Sequence, residues 1–210
     1  MKYRTFSFRH SEVILEEKNF LNQYNELKTI INNISEQDII NRHNSFGEND
    51  ESKLPKSLSK SINELLKEQF VAKNWKSEKQ AGIFQDTNYQ GETWRLDFAK
   101  DDLSVEVAFN HSSVIAWNLI KPVLASELNH VQKSVQTKIG VIITVTNEMK
   151  SLGGFDNAIG TFEKFLDYLK PLRNILTTPL LIVGIEPPTT FKIEQHQFAP
   201  RKKIGRVIKF

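Results

Sequence analysis

The first third of the chain has the hydrophobic spacing of helices. Apolar residues recur there every three or four positions, as in amphipathic helices, and they predict one helix over residues 12–34. A second helix is predicted to begin near Ser57 or Ser59 and to end before Trp75. The intervening residues 35–56 are mostly polar, and this composition predicts a mobile loop.

The hydrophobic period changes to two in the middle of the chain. Residues 93–98 and 103–109 each alternate apolar and polar side chains, and the short polar segment Lys100-Asp101-Asp102 joins them. Alternation of this kind is typical of half-buried strands. The two runs therefore predict a β-hairpin.

Helices and strands alternate beyond this hairpin. A long helix is predicted over residues 114–135, followed by a buried strand over 139–145. A further helix is predicted over 155–169, ended by Pro171, and a second buried strand follows over 180–185. This order of elements predicts an α/β fold in which helices cover a mixed sheet.

The composition narrows the classes of protein that remain. The chain has 210 residues, 39% of them hydrophobic, which predicts a single domain over residues 1–210 with a sizeable core. It contains no cysteine, which excludes disulfides, thiolate zinc sites, iron–sulfur clusters and cysteine nucleophiles. The lack of cysteine fits a reducing compartment, and no apolar run has the length of a membrane span. We therefore expect a cytoplasmic protein without membrane contact.

Positive charge is concentrated near the end of the sequence. The formal net charge is +3, but residues 192–210, the basic C-terminal segment, contain six basic residues and one acidic residue. The rest of the chain is close to neutral. A local concentration of positive charge is typical of contact with phosphate groups, and a solvated basic tail is the alternative interpretation.

The predicted hairpin brings two carboxylates together. If Asp101 and Asp102 form a two-residue turn, Asp97 lies directly opposite Glu106. Like charges at opposed positions destabilise a sheet, and a divalent cation such as Mg²⁺ would compensate for their repulsion. The alternatives are a solvated face on which the carboxylates pair with Arg95 or Lys100, and a longer turn that shifts the register.

The hairpin and its surroundings resemble a known family of enzymes. Residues 97–109 contain an Asp, a nine-residue step to a Glu, and Val107-Ala108-Phe109. They resemble the active-site hairpin of the BglII and BstYI type II restriction endonucleases, members of the PD-(D/E)xK nuclease superfamily. Residues 66–76, with their Trp-Lys pair, resemble the end of a family helix, and residues 181–185 resemble the last core strand.

The resemblance implies a fold, a cofactor and a set of active-site residues. The fold is a restriction-endonuclease-like mixed central β-sheet flanked by helices on both faces. The enzyme would be a Mg²⁺-dependent homodimer that cuts double-stranded DNA, with Asp97, Glu106 and the carbonyl of Val107 as metal ligands. Glu78 takes the place of a further polar catalytic residue, although a solvated loop carboxylate would explain it as well.

The chain departs from the family pattern at one active-site position. Where these relatives have Gln, and the wider class has Lys or Glu, this chain has Ala108, which can neither hold water nor stabilise charge. Either another residue, such as Glu78 or Lys100, performs the role, or the role is dispensable here, or the alanine was introduced to inactivate the enzyme.

Three segments are predicted to contact DNA by analogy with the family. The first follows the catalytic strand, where Ser112 or Ser113 could equally cap the next helix, and His111 could be a lone loop histidine. The second is the loop over residues 146–157, in which Gly153-Gly154 would let the backbone approach a groove or simply form a turn. The third is the basic C-terminal segment. The residues of these segments expected to contact DNA are Asn110, His111, Ser112, Ser113, Lys150, Arg201, Lys202, Lys203 and Arg206.

The function that follows is site-specific cleavage of DNA. The recognition site would be a short palindrome, and a site with a GATC core is the first to try. A palindrome requires a protein with two-fold symmetry. The apolar helix over 114–135 would supply the dimer interface, and the alternative is that this helix is buried within one chain. A cognate DNA methyltransferase is expected as a genetic partner in a prokaryotic host. The alternatives are a DNA-binding protein that has lost catalysis, and a repair or mobile-element nuclease with the same core.

Overall fold

A six-stranded mixed sheet forms the centre of the protein. The computed structural model describes residues 1–84, 94–127, 133 and 135–210. The strand order is β1-β6-β5-β4-β3-β2. The strands are β1 (Tyr3–Phe8), β2 (Lys76–Ser77), β3 (Phe98–Lys100), β4 (Leu103–Val107), β5 (Ile139–Val145) and β6 (Leu180–Ile185). Strands β4, β5 and β6 run parallel to one another, whereas β1, β2 and β3 each pair with their neighbours in antiparallel fashion.

Helices cover both faces of this sheet. They are α1 (Ser11–Leu15), α2 (Leu21–Asn32), α3 (Glu36–Ser45), α4 (Ser59–Ala72), α5 (Ile115–Glu127), α6 (Asn147–Leu152) and α7 (Phe162–Leu172). Buried residues of α2, α3 and α4 pack with one face of the sheet in a first core cluster. Residues of α5 and α7 pack with the other face in a second core cluster. The predicted fold class is therefore confirmed. Among the described residues, no helix is long and apolar enough to cross a membrane.

Two interior strands, β5 and β6, explain why the sheet can be covered on both sides. Every residue of β5 and β6 is buried, and both strands consist almost entirely of β-branched and other apolar residues. A parallel strand that lies between two layers of helices has no solvated face, so its sequence is continuously hydrophobic rather than alternating. Both strands lie where the sequence predicts them.

The N-terminal third differs from the prediction in two places. The helix expected over residues 12–34 is divided into α1 and α2, because the chain turns at the exposed residues 16–19 and so buries both Leu15 and Phe20. The mobile loop expected over residues 35–56 is wrong, since most of its first half is α3. Ser35 and Asp38 form a reciprocal capping box at the start of this helix.

Two further helices differ from the predicted bounds. The helix expected over 155–169 begins only at Phe162, and it includes Pro171 in its last turn instead of ending before it. The loop expected over residues 146–157 contains α6, for which the Thr146 side chain accepts a hydrogen bond from the backbone N–H of Met149. Strand β1 was not predicted, because at an edge of the sheet its exposed and partly buried residues give only a weak pattern.

Helix α5 uses its apolar residues within the chain. It extends to Glu127, and residues 128–132 and 134, which belong to the helix predicted over 114–135, lie outside the described residues. Ile120 packs against the second core cluster, Leu124 packs against a third, and the ring of Trp117 lies 4.4 Å from that of Trp94. These contacts within the chain account for the apolar surface of α5, on which the prediction of a dimer interface was based.

The basic C-terminal segment is a folded hairpin and not a solvated tail. Its strands, β7 (Phe191–Ala199) and β8 (Lys202–Lys209), pair in antiparallel fashion. The hairpin is fixed to the helical layer at Gly205, whose carbonyl lies 2.8 Å from Nε2 of the buried His43. A Cβ at Gly205 would lie 2.6 Å from the carbonyl oxygen of Lys56, so only glycine permits this close approach.

Candidate active site

The β3–β4 hairpin has the register that opposes the two predicted carboxylates. Lys100 pairs with Leu103 and Phe98 with Val105, across a turn in which Asp101 has the left-handed backbone conformation that Asp tolerates. Asp97 immediately precedes β3, so the next step of this register places it opposite Glu106. The alternative of a shifted register is therefore wrong. The strand predicted over residues 93–98 begins later, at Phe98, and residue 93 lies outside the described residues.

Asp97 is held in place by the backbone of the opposite strand. Its Oδ2 atom accepts a hydrogen bond of 2.7 Å from the backbone N–H of Val107. Burial raises the pKa of Asp97 above its ordinary value, and the negative charge of Glu78 contributes in the same direction. The hydrogen bond from Val107 and the charge of Lys121 oppose this rise. The fold thus imposes a cost on ionising this carboxyl group.

Glu106 is almost completely enclosed, with 2% of its surface exposed. Its Oε2 atom accepts a hydrogen bond of 2.6 Å from Nζ of Lys121. Its Oε1 atom is buried and has no hydrogen-bond partner among the described residues. Burial, and then the negative charge of Asp97, raise the pKa of Glu106 despite the ammonium group of Lys121. A buried oxygen without a partner is costly unless a further group binds it.

Lys121 is the residue of this site that the sequence interpretation missed. It projects from α5, and 13% of its side chain is exposed. The available signal was a single lysine within the apolar helix Ile115–Glu127. A lysine in such a helix is expected to be largely buried, and a buried lysine is rarely found without a partner. The alternative in which the carboxylates pair with Lys100 is wrong, since the Lys100 ammonium group contacts Glu26 at 2.7 Å instead.

The two carboxylates open into a cavity of about 370 Å³. Glu78, Asn110 and Lys121 line the same cavity, so the predicted active-site residues are brought together with the lysine of α5. Within the described residues, no group of three His, Cys, Asp or Glu side chains could hold a metal ion by itself. Two carboxylates and the unpartnered Oε1 atom still suit Mg²⁺, which takes a few protein oxygens and keeps several waters.

Ala108 has no access to the cavity that the carboxylates line. It is 1% exposed and belongs to the second core cluster, together with Ile115 and Leu119 of α5. Its backbone N–H donates to the carbonyl of Ile143 at 2.8 Å. A long polar side chain at position 108 would have to enter this apolar cluster or displace α5.

Comparison with known proteins places the chain in a family. The sequence profile of the family described as restriction endonuclease BglII/BglIII matches residues 3–185. The chain belongs to this family. Two crystal structures share its fold, each over 100% of both chains. One is BglII complexed with a DNA 16-mer, at 18% identity and a TM-score of 0.64. The other is free BglII, at 19% identity and a TM-score of 0.56. None of the curated proteins compared with the chain matches it.

The segment that follows β4 lies between the carboxylate cavity and a second one. Asn110 lines both cavities, and His111 lines the second. Nδ1 of His111 accepts a hydrogen bond from the backbone N–H of Ser113, so His111 caps the short 3-10 helix Ser112–Val114. The alternative interpretation, in which Ser112 or Ser113 is the cap, is therefore wrong for this short helix.

A polar groove leads from the carboxylates towards the C-terminal hairpin. The carboxylate cavity shares Asn110 with the second cavity, which shares Lys56, Phe155 and Asp156 with a third. We call this run of three cavities the polar groove. Two of the residues expected to contact DNA, Lys150 and Lys203, line its third cavity, of about 460 Å³.

The remaining basic residues of the hairpin lie outside the groove lining. Arg206 pairs with Glu51 at 2.7 Å, whereas the exposed Arg201 and Lys202 lie at the turn of the hairpin. The glycine pair predicted to approach DNA has a structural role. Gly154 has a φ of +69°, and a Cβ there would lie 2.8 Å from Ile193 of the hairpin.

The raised pKa of Glu106 predicts how the stability of the metal-free protein changes with pH. A carboxyl group whose pKa is raised by folding stabilises the native state at pH values below its pKa in the unfolded chain, which is ordinarily 4.5 for Glu. This contribution is lost as the pH rises through the pKa of the group in the folded protein. We expect the free energy of unfolding of Glu106→Gln to increase relative to wild type as the pH rises above 4.5.

Urea unfolding across this pH range, in the presence of EDTA, measures the difference. The control is Glu17→Gln, which changes an exposed glutamate outside the site and should follow wild type at every pH. A stability difference between Glu106→Gln and wild type that stays constant, or that moves in favour of wild type, would contradict the prediction.

Proposed function

We propose that the chain is a type II restriction endonuclease that uses Mg²⁺ to hydrolyse phosphodiester bonds of double-stranded DNA at a short palindromic site. The observation that carries this proposal is the opposition of Asp97 and Glu106 at the wall of a cavity, with a buried oxygen of Glu106 that has no partner among the residues that the structure describes. A protein that only binds DNA gains nothing from two opposed carboxylates next to a phosphate.

Each residue at the site has a defined part in this proposal. Asp97, Glu106 and the carbonyl of Val107 would hold Mg²⁺, which polarises the phosphodiester and activates a water molecule. The hydrogen bond from the Val107 N–H fixes the orientation of Asp97 before substrate binds. Glu78, which is exposed at the cavity, would orient the attacking water, and the products would carry 5′-phosphates.

The polar groove and the C-terminal hairpin would bind the DNA. Asn110 lies beside the carboxylates, and an Asn side chain can donate to and accept from adenine at once. His111 lines the second cavity of the groove, and Ser112 and Ser113 follow it in the same segment and would contact the DNA with it. Five cations would hold phosphates. They are the half-buried Lys150 of the groove and the exposed Arg201, Lys202, Lys203 and Arg206 of the hairpin.

We further propose that two copies of the chain act together, each as one catalytic and DNA-binding domain. A palindromic site has two-fold symmetry, and a homodimer would place one active site on each strand. A cognate methyltransferase would protect the host DNA in the cytoplasm of a prokaryote. A site with a GATC core is the first to test.

Specific observations bear on the two alternatives. Ala108 supports a DNA-binding protein without catalysis, but Lys121 provides a positive charge at the same carboxylates. A repair or mobile-element nuclease would share the carboxylate pair but would cut duplex DNA without a fixed sequence. The positions of the cut ends therefore separate this alternative from a restriction enzyme.

Digestion of unmethylated phage DNA tests the proposed function. We expect Mg²⁺-dependent fragments whose sequenced ends share one palindrome, and no fragments in EDTA. Asp97→Asn and Glu106→Gln should abolish cleavage but leave cognate DNA binding intact, because they remove metal ligands and not DNA contacts. The matched control is Asp101→Asn in the same hairpin, since Asn also tolerates the left-handed conformation of that position. Wild-type turnover by Asp97→Asn or Glu106→Gln would contradict the assignment.

The salt dependence of binding tests the role assigned to the groove. Each phosphate contact contributes about 0.9 to the slope of log affinity against log salt concentration. We expect Lys203→Gln to reduce this slope by about that amount, whereas Lys170→Gln, an exposed lysine of α7, should leave it unchanged. An unchanged slope for Lys203→Gln, measured by fluorescence anisotropy, would remove Lys203 from the DNA interface.

A further inference from the structure

The active site has a cation that does not come from the catalytic strand. Position 108, two residues after Glu106, is an alanine enclosed in the second core cluster. The ammonium group nearest to the carboxylates belongs instead to Lys121, at 2.6 Å from Glu106 Oε2. Lys121 lines the same cavity as Asp97, Glu106 and Asn110. A positive charge is therefore present at the site although the strand does not supply one.

The packing of α5 brings this lysine to the carboxylates. A Cβ at Gly140 of β5 would lie 2.4 Å from Cβ of Pro122, so the glycine lets the helix approach the sheet closely exactly beside Lys121. Leu119 is completely buried in the second core cluster. Lys121 therefore lies in the helix between Leu119 and Pro122, which both pack into the interior, and only 13% of its side chain is exposed.

The other lysines near the site are placed differently. Lys67 and Lys79 line the cavity, but both are exposed. Lys100, on the same hairpin as the carboxylates, is engaged by Glu26 and by the carbonyl of Lys73. Of these lysines, Lys121 alone forms an ion pair with a carboxylate of the pair in the part of the chain that the structure describes.

We propose that Lys121 is a catalytic residue, and that its ammonium group contacts the scissile phosphate in place of the side chain that position 108 lacks. A fixed positive charge next to the reacting phosphate stabilises negative charge that develops in the transition state. The contact with Glu106 positions the ammonium group before DNA binds. This inference rests on the proposed function, since it assigns a role within the same reaction.

Substitutions of equal length separate the charge of Lys121 from its packing. Lys121→Met keeps the apolar stem and removes the charge, whereas Lys121→Arg keeps the charge. Loss of one such stabilising group costs about a hundredfold in rate, and we expect that loss for Lys121→Met in single-turnover cleavage at saturating enzyme. Cognate DNA affinity without metal should stay close to wild type in both variants. Lys121→Met should lower the melting temperature, because Glu106 loses its ion-pair partner, whereas Lys121→Arg should keep the melting temperature close to wild type and restore part of the rate.

The matched control is Lys170→Met, which removes an exposed lysine of α7 outside the cavity and should cut at the wild-type rate. Cleavage by Lys121→Met at the wild-type rate would overturn the inference and leave the proposed function standing. Equal losses in the Met and Arg variants, accompanied by a fall in melting temperature, would assign Lys121 a structural role and also overturn it. If wild type does not cut any DNA, the proposed function fails, and the role of Lys121 fails with it.

Discussion

The repulsion between Asp97 and Glu106 is the constraint on which the rest of the site depends. The hairpin register opposes the two side chains, and burial makes the charged form of each one costly. The fold compensates for part of this cost with the Val107 N–H and with Lys121. One oxygen of Glu106 has no partner among the described residues, so the compensation is incomplete. A divalent cation would supply the remainder.

The parts of the site that the sequence predicts are those determined by local geometry. A two-residue turn at Asp101 and Asp102 is enough to oppose Asp97 and Glu106, and the continuous hydrophobic runs of β5 and β6 identify the buried strands without any knowledge of the tertiary fold. Family membership agrees with the resemblance of the same hairpin. The roles of the site residues remain predictions.

The features that the sequence did not reveal depend on contacts between distant segments. Lys121 reaches Glu106 only because α5 packs closely on Gly140, and no periodicity encodes that approach. Helix α3 has a polar composition, yet it is stabilised by its capping box and by the buried His43, which reaches Gly205 at the other end of the chain. The basic C-terminal segment looks like a solvated tail until its strands are paired.

The most direct test of this account is the effect of Mg²⁺ on the melting temperature of the protein without DNA. A ligand that binds only the native state stabilises it by an amount that grows with the ratio of the free ligand concentration to the dissociation constant. The account predicts that Mg²⁺, added at constant ionic strength, raises the melting temperature of wild type and of Asp101→Asn, but not that of Asp97→Asn or Glu106→Gln. An equal rise in all four proteins, or no rise in wild type, would contradict the claim that the opposed carboxylates form a metal site.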